Sequence, residues 1–218
     1  MWLLVGKFFV ITAPASLTRI FSESGFTQHL IAEGDTPPAF DCHVPLLDLP
    51  RHLNTTVESV PGSEPYLIVP AARQEAWAER IGRSKGFRVG IVWVGDPIHT
   101  TDQERSIAAS ECLPLTDIAG LSLYSLQVGR DGEAADVFGD SVTDLAPFLA
   151  DFADTAAAMH NLDLIISADT SVVHLAGALG QQVWTLLPFM PDWRWMLERE
   201  DSPWYPTLAC SVSTVAAI

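Results

Sequence analysis

Asp169, Thr170, Ser171 and His174 lie in one short stretch, Asn161-Leu-Asp-Leu-Ile-Ile-Ser-Ala-Asp-Thr-Ser-Val-Val-His-Leu-Ala-Gly-Ala-Leu-Gly180. A carboxylate, two hydroxyls and an imidazole follow in that order, and the hydroxyls and imidazole suit the binding of an anion. The apolar run Leu162 to Ser167 reads as a buried parallel strand. Asp169-Thr-Ser171 reads as a turn and helix N-cap, Val172 to Leu179 as a helix, and Gly180 as its stop. The polar groups therefore meet at the carboxyl end of a strand, where open α/β sheets bind ligands. Free amides and the dipole of a helix N-terminus suit a phosphate there. Helix capping alone, worth about 1 kcal/mol, asks for the same residue types. For His174 the alternative is a core histidine bonded to backbone.

Further polar candidates lie at other expected strand ends. Gly95 lets backbone approach a ligand. Arg105 follows the loop His99-Thr-Thr-Asp-Gln-Glu104, and its guanidinium fork suits a phosphate, although pairing with Glu104 at the surface explains it equally. Gln127 and Arg130 follow another strand. Arg194 is the one basic residue near the last expected strand end, amid Trp193, Trp195, Trp204 and Tyr205. Such aromatics stack on sugars, yet more often fill a core. Asp96 and His99 have metal-ligand spacing but no supporting cluster, and no metal is expected. Asp154 and Thr155 are candidates for a ribose contact or a cap.

Composition narrows the partners. The 218 residues carry 12 Lys and Arg against 27 Asp and Glu, a net charge of −15, with 48% apolar residues. A folded domain is expected, and a nucleic-acid or anionic-membrane surface is not. An acidic chain still binds a phosphorylated small molecule where the site is local. No Lys or Arg lies between Arg130 and Arg194, so a phosphate near Asp169 depends on amides, hydroxyls, His174 or a distant arginine. Cys42, Cys112 and Cys210 are scattered, which fits a reducing cytoplasm. Met1 to Ile11 is apolar and Ala13-Pro-Ala15 faintly resembles a signal cleavage site, but Lys7 lies inside the run rather than before it. A strand explains the segment as well. Nothing approaches the ~20 apolar residues of a membrane span.

The elements that must hold these residues alternate. Strands are expected at Trp2–Ile11, His29–Ala32, Phe40–Val44, Arg88–Val94, Leu121–Gln127, Leu162–Ser167 and Val183–Leu187. Helices are expected at Ser16–Glu23, Ala72–Ile81, Ala109–Ile118 and from Pro147 to His160, with proline-rich loops and one short helix from Leu46 to Pro70. Alternation argues for a doubly wound parallel sheet. A boundary is expected near residue 86, between a partial N-terminal α/β domain with linker (1–85) and a Rossmann-like C-terminal domain (86–218).

Six stretches in order carry a resemblance: Val89-Gly-Ile-Val-Trp-Val-Gly-Asp-Pro97, Arg105-Ser-Ile107, Tyr124-Ser-Leu-Gln127, Asp151-Phe-Ala-Asp-Thr155, Asp169-Thr-Ser-Val-Val-His-Leu-Ala-Gly-Ala-Leu-Gly180, and Leu187-Pro-Phe-Met-Pro-Asp-Trp-Arg-Trp195 with Asp201-Ser-Pro-Trp-Tyr-Pro206. Together they resemble the family-9 glycosyltransferases, which include the heptosyltransferases, and the glycosyltransferase-like domain found after tetratricopeptide repeats. The resemblance implies a GT-B fold and a donor nucleotide-sugar held by the C-terminal domain, without metal or other cofactor. It implies donor contacts at Gly95, Arg105, Gln127, Arg130, Asp169, Thr170, Ser171, His174 and Arg194. Arg105 matches the basic position facing the donor pyrophosphate, and Gln127 with Arg130 matches a pair in the distantly similar O-GlcNAc transferase. The glycine-rich N-terminal loop of GT-B enzymes is not seen before Gly25, so the N-terminal domain is expected to be shortened. That loop carries the acceptor base of the heptosyltransferases, and no catalytic residue is identified here.

The expected function is an inverting, metal-independent glycosyltransferase-like protein of the cytoplasm, taking a sugar from a nucleoside-diphosphate donor to an unknown acceptor. The alternative is an inactive remnant that binds a nucleotide or a protein partner. An apolar face left open by missing N-terminal strands would favour a homodimer. A dehydrogenase is disfavoured by the lack of GxGxxG.

Overall fold

A computed structural model of the chain describes residues 9–26, 30–62, 64–82, 86–95, 105–196 and 199–212. Two three-residue strands, β1 (Ile11–Ala13) and β2 (Leu30–Ala32), form a small parallel sheet around helix α1 (Ala15–Glu23). A loop-rich stretch follows, holding helix α2 (Leu49–His52) and ending at α3 (Ala71–Ile81). The main sheet is built from β3 (Phe87–Val92), β4 (Leu121–Ser125), β5 (Val142–Asp144), β6 (Leu164–Ala168), β7 (Val183–Leu187) and β8 (Leu208–Val212). Its order is β5-β4-β3-β6-β7-β8, and every pairing is parallel. The chain winds outward from β3 to β5, returns to the centre, and winds outward again from β6 to β8. The reversal leaves a crevice between the carboxyl ends of β3 and β6.

The apolar runs dictate this. All five residues of β6 are buried, as are the last four of β3, because parallel strands are covered on both faces. Val89, Ile91, Trp93, Leu164 and Ile166 pack on one face with Cys112, Ala134 and Phe138, the last two from helix α4 (Glu133–Phe138). Val92, Tyr124, Ile165 and Val183 pack on the other face with helices α5 (Phe152–His160) and α6 (Ser171–Ala178). Ala153, Ala156, Ala157 and Ala158 of α5 are wholly buried, so their small side chains let α5 lie between the sheet and the helices above it. Gly180, at φ +71°, ends the turn after α6 in a conformation other residues resist, with Pro65 directly against it.

Residues before the expected boundary share this core. Ile20, Leu67, Val69, Trp77 and Ile81 pack with Met159 and Val173. Polar ties add to the packing. Arg19 of α1 pairs with Asp151 and with Asp154 at 2.6 Å, while Arg73 of α3 pairs with Glu23 and with Asp154 at 3.2 Å. Asp154 is thus committed to two arginines and Thr155 donates to the Asp151 carbonyl at 3.2 Å, so both serve the fold.

Several expectations are corrected. Phe40–Val44 is exposed coil, since Pro37, Pro38 and Pro45 remove ladder donors around it. The helix expected at Ala109–Ile118 is present as a 3-10 helix, Ala109–Asp117, with Pro114 inside. Pro147 lies in a 3-10 turn, Ala146–Phe148, and α5 begins only at Phe152. Its start is set by Asp151, whose carboxylate accepts from the amides of Ala153 (2.8 Å) and Asp154 (3.2 Å). Helix α4, β5 and β8 were not expected. The first strand is Ile11–Ala13; residues 2–8 of the expected one, His29 of the next and residues 83–85 of the linker lie outside the described residues. No described helix is long and apolar enough to cross a membrane.

Candidate functional site

Beside the crevice, the loop after β7 and the start of α6 enclose a cleft of about 240 Å³. Arg105, Asp169, His174, Pro188, Met190, Pro191, Asp192 and Arg194 line it. The strand ends explain the assembly. Asp169 leaves the carboxyl end of β6, and α6 starts two residues later with its amino end at the cleft. Pro188 and Pro191 cannot extend β7, so the chain turns over the opening there.

Thr170 is the helix cap. Its hydroxyl accepts from the Val172 amide at 3.2 Å and lies 3.1 Å from the Ser167 hydroxyl, which in turn donates to the Ala168 carbonyl at 2.7 Å. Ser171 opens the helix with its side chain exposed. Asp169 lines the cleft and is only 7% exposed.

His174 is clamped. Its ring stacks on Trp195, with centroids 5.2 Å apart and planes 16° apart, and its Nδ1 lies 3.1 Å from the Tyr205 hydroxyl. Burial pushes its pKa below the ordinary value; the charge of Asp169 opposes this, Arg194 adds to it and Asp192 opposes it. The imidazole is therefore neutral at pH 7. Burial, and after it the neighbouring Tyr66 phenol, pushes the Tyr205 hydroxyl far above its ordinary range, so it keeps its proton. Arg194 holds Asp192 at 2.7 Å and lies over the Trp193 ring at 4.7 Å.

The structure thus brings Arg105, Asp169, His174 and Arg194 into one cleft with Thr170 and Ser171 beside it. It gives Gln127 another task. That side chain is 4% exposed; its amide oxygen accepts from the Trp93 (3.0 Å) and Val94 (2.9 Å) amides, and its nitrogen donates to the Val128 carbonyl (3.1 Å). Gln127 so secures the backbone leaving β3. Gly95 donates to the Ser106 hydroxyl at 3.3 Å, which ties Arg105's neighbour to the same strand end. Arg130 lies exposed in the turn after Gly129, outside the cleft lining. Asp96 and His99 lie outside the described residues. Among the described residues no cluster of His, Cys, Asp or Glu is placed to hold a metal.

Sequence reasoning missed Asp192 and Met190 as lining residues and Ser167 as the support of Thr170. A pair of prolines just beyond an apolar strand was the available signal for the first two. The aromatic cluster divides: Trp195 is buried core at 1% exposure, whereas Trp193 is 60% exposed and meets Trp204 edge-on at 6.1 Å.

Fold and cleft together define an α/β protein whose six-stranded parallel sheet matches part of the GT-B heptosyltransferase architecture. The ADP-heptose LPS heptosyltransferase II of E. coli superposes with a TM-score of 0.51 at 14% identity, over 72% of this chain and 48% of that one. E. coli heptosyltransferase WaaC with ADP gives 0.46 at 13% identity, over 85% and 60%. Protein FlbA of Caulobacter vibrioides is 24% identical over 184 residues, 80% of this chain and 30% of FlbA. The chain thus spans about a third of FlbA and about half of heptosyltransferase II. No family model matches.

Proposed function

We propose that the chain is a glycosyltransferase-like protein whose cleft beside α6 binds the diphosphate of a nucleotide-sugar. A sugar would pass from that donor to an acceptor with inversion and without a metal, the acceptor base lying among groups this cleft does not supply. Residues 86–218 form the donor-binding unit in this reading, and residues 1–85 the acceptor-side unit and linker. One observation carries it: in a chain of net charge −15, Arg105, Arg194 and His174 line the same 240 Å³ at the amino end of a helix, beside the crevice where the strand order reverses. Likeness to an ADP-heptose heptosyltransferase in fold supports it.

The chemistry asked of the site is electrostatic. As the glycosidic bond breaks, charge develops on the departing diphosphate, and preorganised donors stabilise it without reorganisation. Arg105 and Arg194 supply guanidinium forks, the first turn of α6 supplies partial positive charge, and neutral His174 supplies one N–H. Asp169 in the lining would accept a sugar hydroxyl rather than face the phosphates, since like charges repel there.

Titration of UDP, ADP and GDP by calorimetry tests the reading. Binding of at least one is expected, and no binding of any at millimolar concentration would sink it. Binding with no donor turnover favours the nucleotide-binding module over the enzyme.

A further inference from the structure

We propose that Tyr205 is a positioning residue: its hydroxyl donates to Nδ1 of His174 and holds that ring as the Nε2–H tautomer, leaving Nε2–H as the donor a cleft ligand meets. This rests on the donor-site reading only for the identity of that ligand. Three observations place Tyr205 in this role. Its oxygen lies 3.1 Å from His174 Nδ1. Its ring rests on Gly177, one turn beyond His174 on α6, where a Cβ would fall inside the ring atoms. His174 is stacked on Trp195 at its face, so rotation away from Tyr205 would break that stack.

The tautomer follows from proton accounting. A neutral imidazole has one donor and one acceptor nitrogen, and the partner of one nitrogen decides the role of the other. Tyr205 keeps its proton, and its hydroxyl, which also shares a hydrogen bond with Tyr66, can donate or accept. The carboxylates of Asp169 and Asp192, which line the cleft with His174 and act on its ring, favour a hydrogen on the cleft-side nitrogen and hence donation by Tyr205 to Nδ1. Donation to Nδ1 makes that nitrogen the acceptor and puts the hydrogen on Nε2. His174 itself lines the cleft with Asp169, Asp192, Arg105 and Arg194. An Nε2–H there meets either a carboxylate or an incoming anionic oxygen. The opposite tautomer would offer a lone pair to an anion and repel it.

Gly62, Tyr66 and Leu67 complete the support. Tyr66 and Leu67 both donate their amides to the Ala178 carbonyl at the end of α6, at 3.0 and 3.1 Å. Gly62 packs so closely on the carbonyls of Pro203 and Trp204 that no Cβ fits. The stretch before the main sheet thus pins both α6 and the loop bearing Tyr205, and sets the Tyr66 phenol in hydrogen-bond contact with that of Tyr205, where Tyr66 is the donor once the Tyr205 hydrogen goes to His174.

Two-bond proton–nitrogen NMR of the chain labelled with nitrogen-15 histidine reads the tautomer directly, with the His174 signal assigned by its loss in His174→Gln. The native chain is expected to show a single Nε2–H pattern at neutral pH. Tyr205→Phe keeps the ring on Gly177 and removes only the hydroxyl, so the fold survives and the pattern averages between tautomers. Gly177→Ala, which displaces the ring, gives the same averaging. An Nδ1–H pattern in the native chain overturns the proposal, as does a pattern unchanged in Tyr205→Phe. The donor reading is judged separately by UDP, ADP and GDP titration. If a nucleotide binds, Tyr205→Phe weakens it by about three- to tenfold, in line with the ~0.5–1.5 kcal/mol net of one hydrogen bond. If none binds and the tautomer still depends on Tyr205, the positioning role stands and the donor reading falls.

Discussion

The main sheet and the stretch from residue 33 to residue 66 obey different rules. In the sheet, β3 and β6 are apolar along nearly their whole length and bury both faces, so each strand states its own environment. In the earlier stretch Phe40, Leu46 and Leu47 stand 58%, 79% and 70% exposed, and the chain returns to the core only at Leu67 and Val69. Apolar residues there are not matched by an opposing layer. Order in the sheet comes from burial; order before it comes from docking of α1, α3 and residues 66–69 onto α5 and α6. The first kind is set by pattern, the second by a few side chains meeting at a distance in sequence.

Five measurements sharpen that contrast. The largest effect is expected at the centre of the sheet. Ile165→Ala removes a side chain 1% exposed between β3 and β7, and chemical denaturation should show a loss of about 2–5 kcal/mol. A loss below ~1 kcal/mol would mean the sheet is not the stable unit. Next comes the join between the regions. Asp151→Ala removes the cap of α5 and one partner of Arg19, so about 1–2 kcal/mol should be lost, nearly all from capping, because an ion pair this exposed contributes little. Hydrogen exchange should then rise in α1 before it rises in β6. Equal acceleration in both would erase the distinction drawn here.

The third test concerns the cleft. Arg105→Ala should weaken nucleoside-diphosphate binding about tenfold or more, as a lost charge-assisted hydrogen bond of ~1.5–3 kcal/mol implies, and flatten its salt dependence. Unchanged affinity would return Arg105 to a structural role. The fourth is pH. Folding lowers the His174 pKa chiefly through burial, so the unfolded chain binds its proton first as pH falls. Stability should therefore decline from about pH 6.5, the unfolded histidine value, and level off below the folded one. At still lower pH, Asp151 contributes. Burial disfavours its charge, but the Arg19 bond and the Asp154 and Ala153 amides outweigh that and hold its pKa below the ordinary value. Its stabilisation is intact above the unfolded carboxylate pKa and disappears as pH falls through the folded one. His174→Gln should remove the first decline and leave the second. The smallest effect is expected at Leu46→Ser, within about 0.5 kcal/mol by thermal unfolding, because the side chain is already in water.

Much of this was legible beforehand, for identifiable reasons. The strand at Val183–Leu187, the helix from α6 and the cap at Thr170 follow from local pattern, which is why residues 161–187 read cleanly. Arg105, Asp169, His174 and Arg194 also reach one cleft. Gln127 was misread because a polar residue at a strand end looks the same whether it faces a ligand or backbone amides. Short β5, with Val142 alone buried of its three residues, gave too little alternation to read. The start of α5 was misplaced at Pro147 because a proline at a helix start is a weaker statement than an aspartate whose carboxylate reaches two amides.

From its order of residues alone, the chain determined that apolar strands alternate with helices and that an anion-suited helix start follows one of them. These are matters of neighbours a few positions apart, where sterics and periodicity act directly. Tertiary structure alone decided that Arg19 meets Asp151 and Asp154, that Gln127 faces inward, and that Tyr205 settles on Gly177 against His174. Those contacts join residues far apart along the chain, and only packing of the helices on the sheet chooses which side chains come within bonding reach.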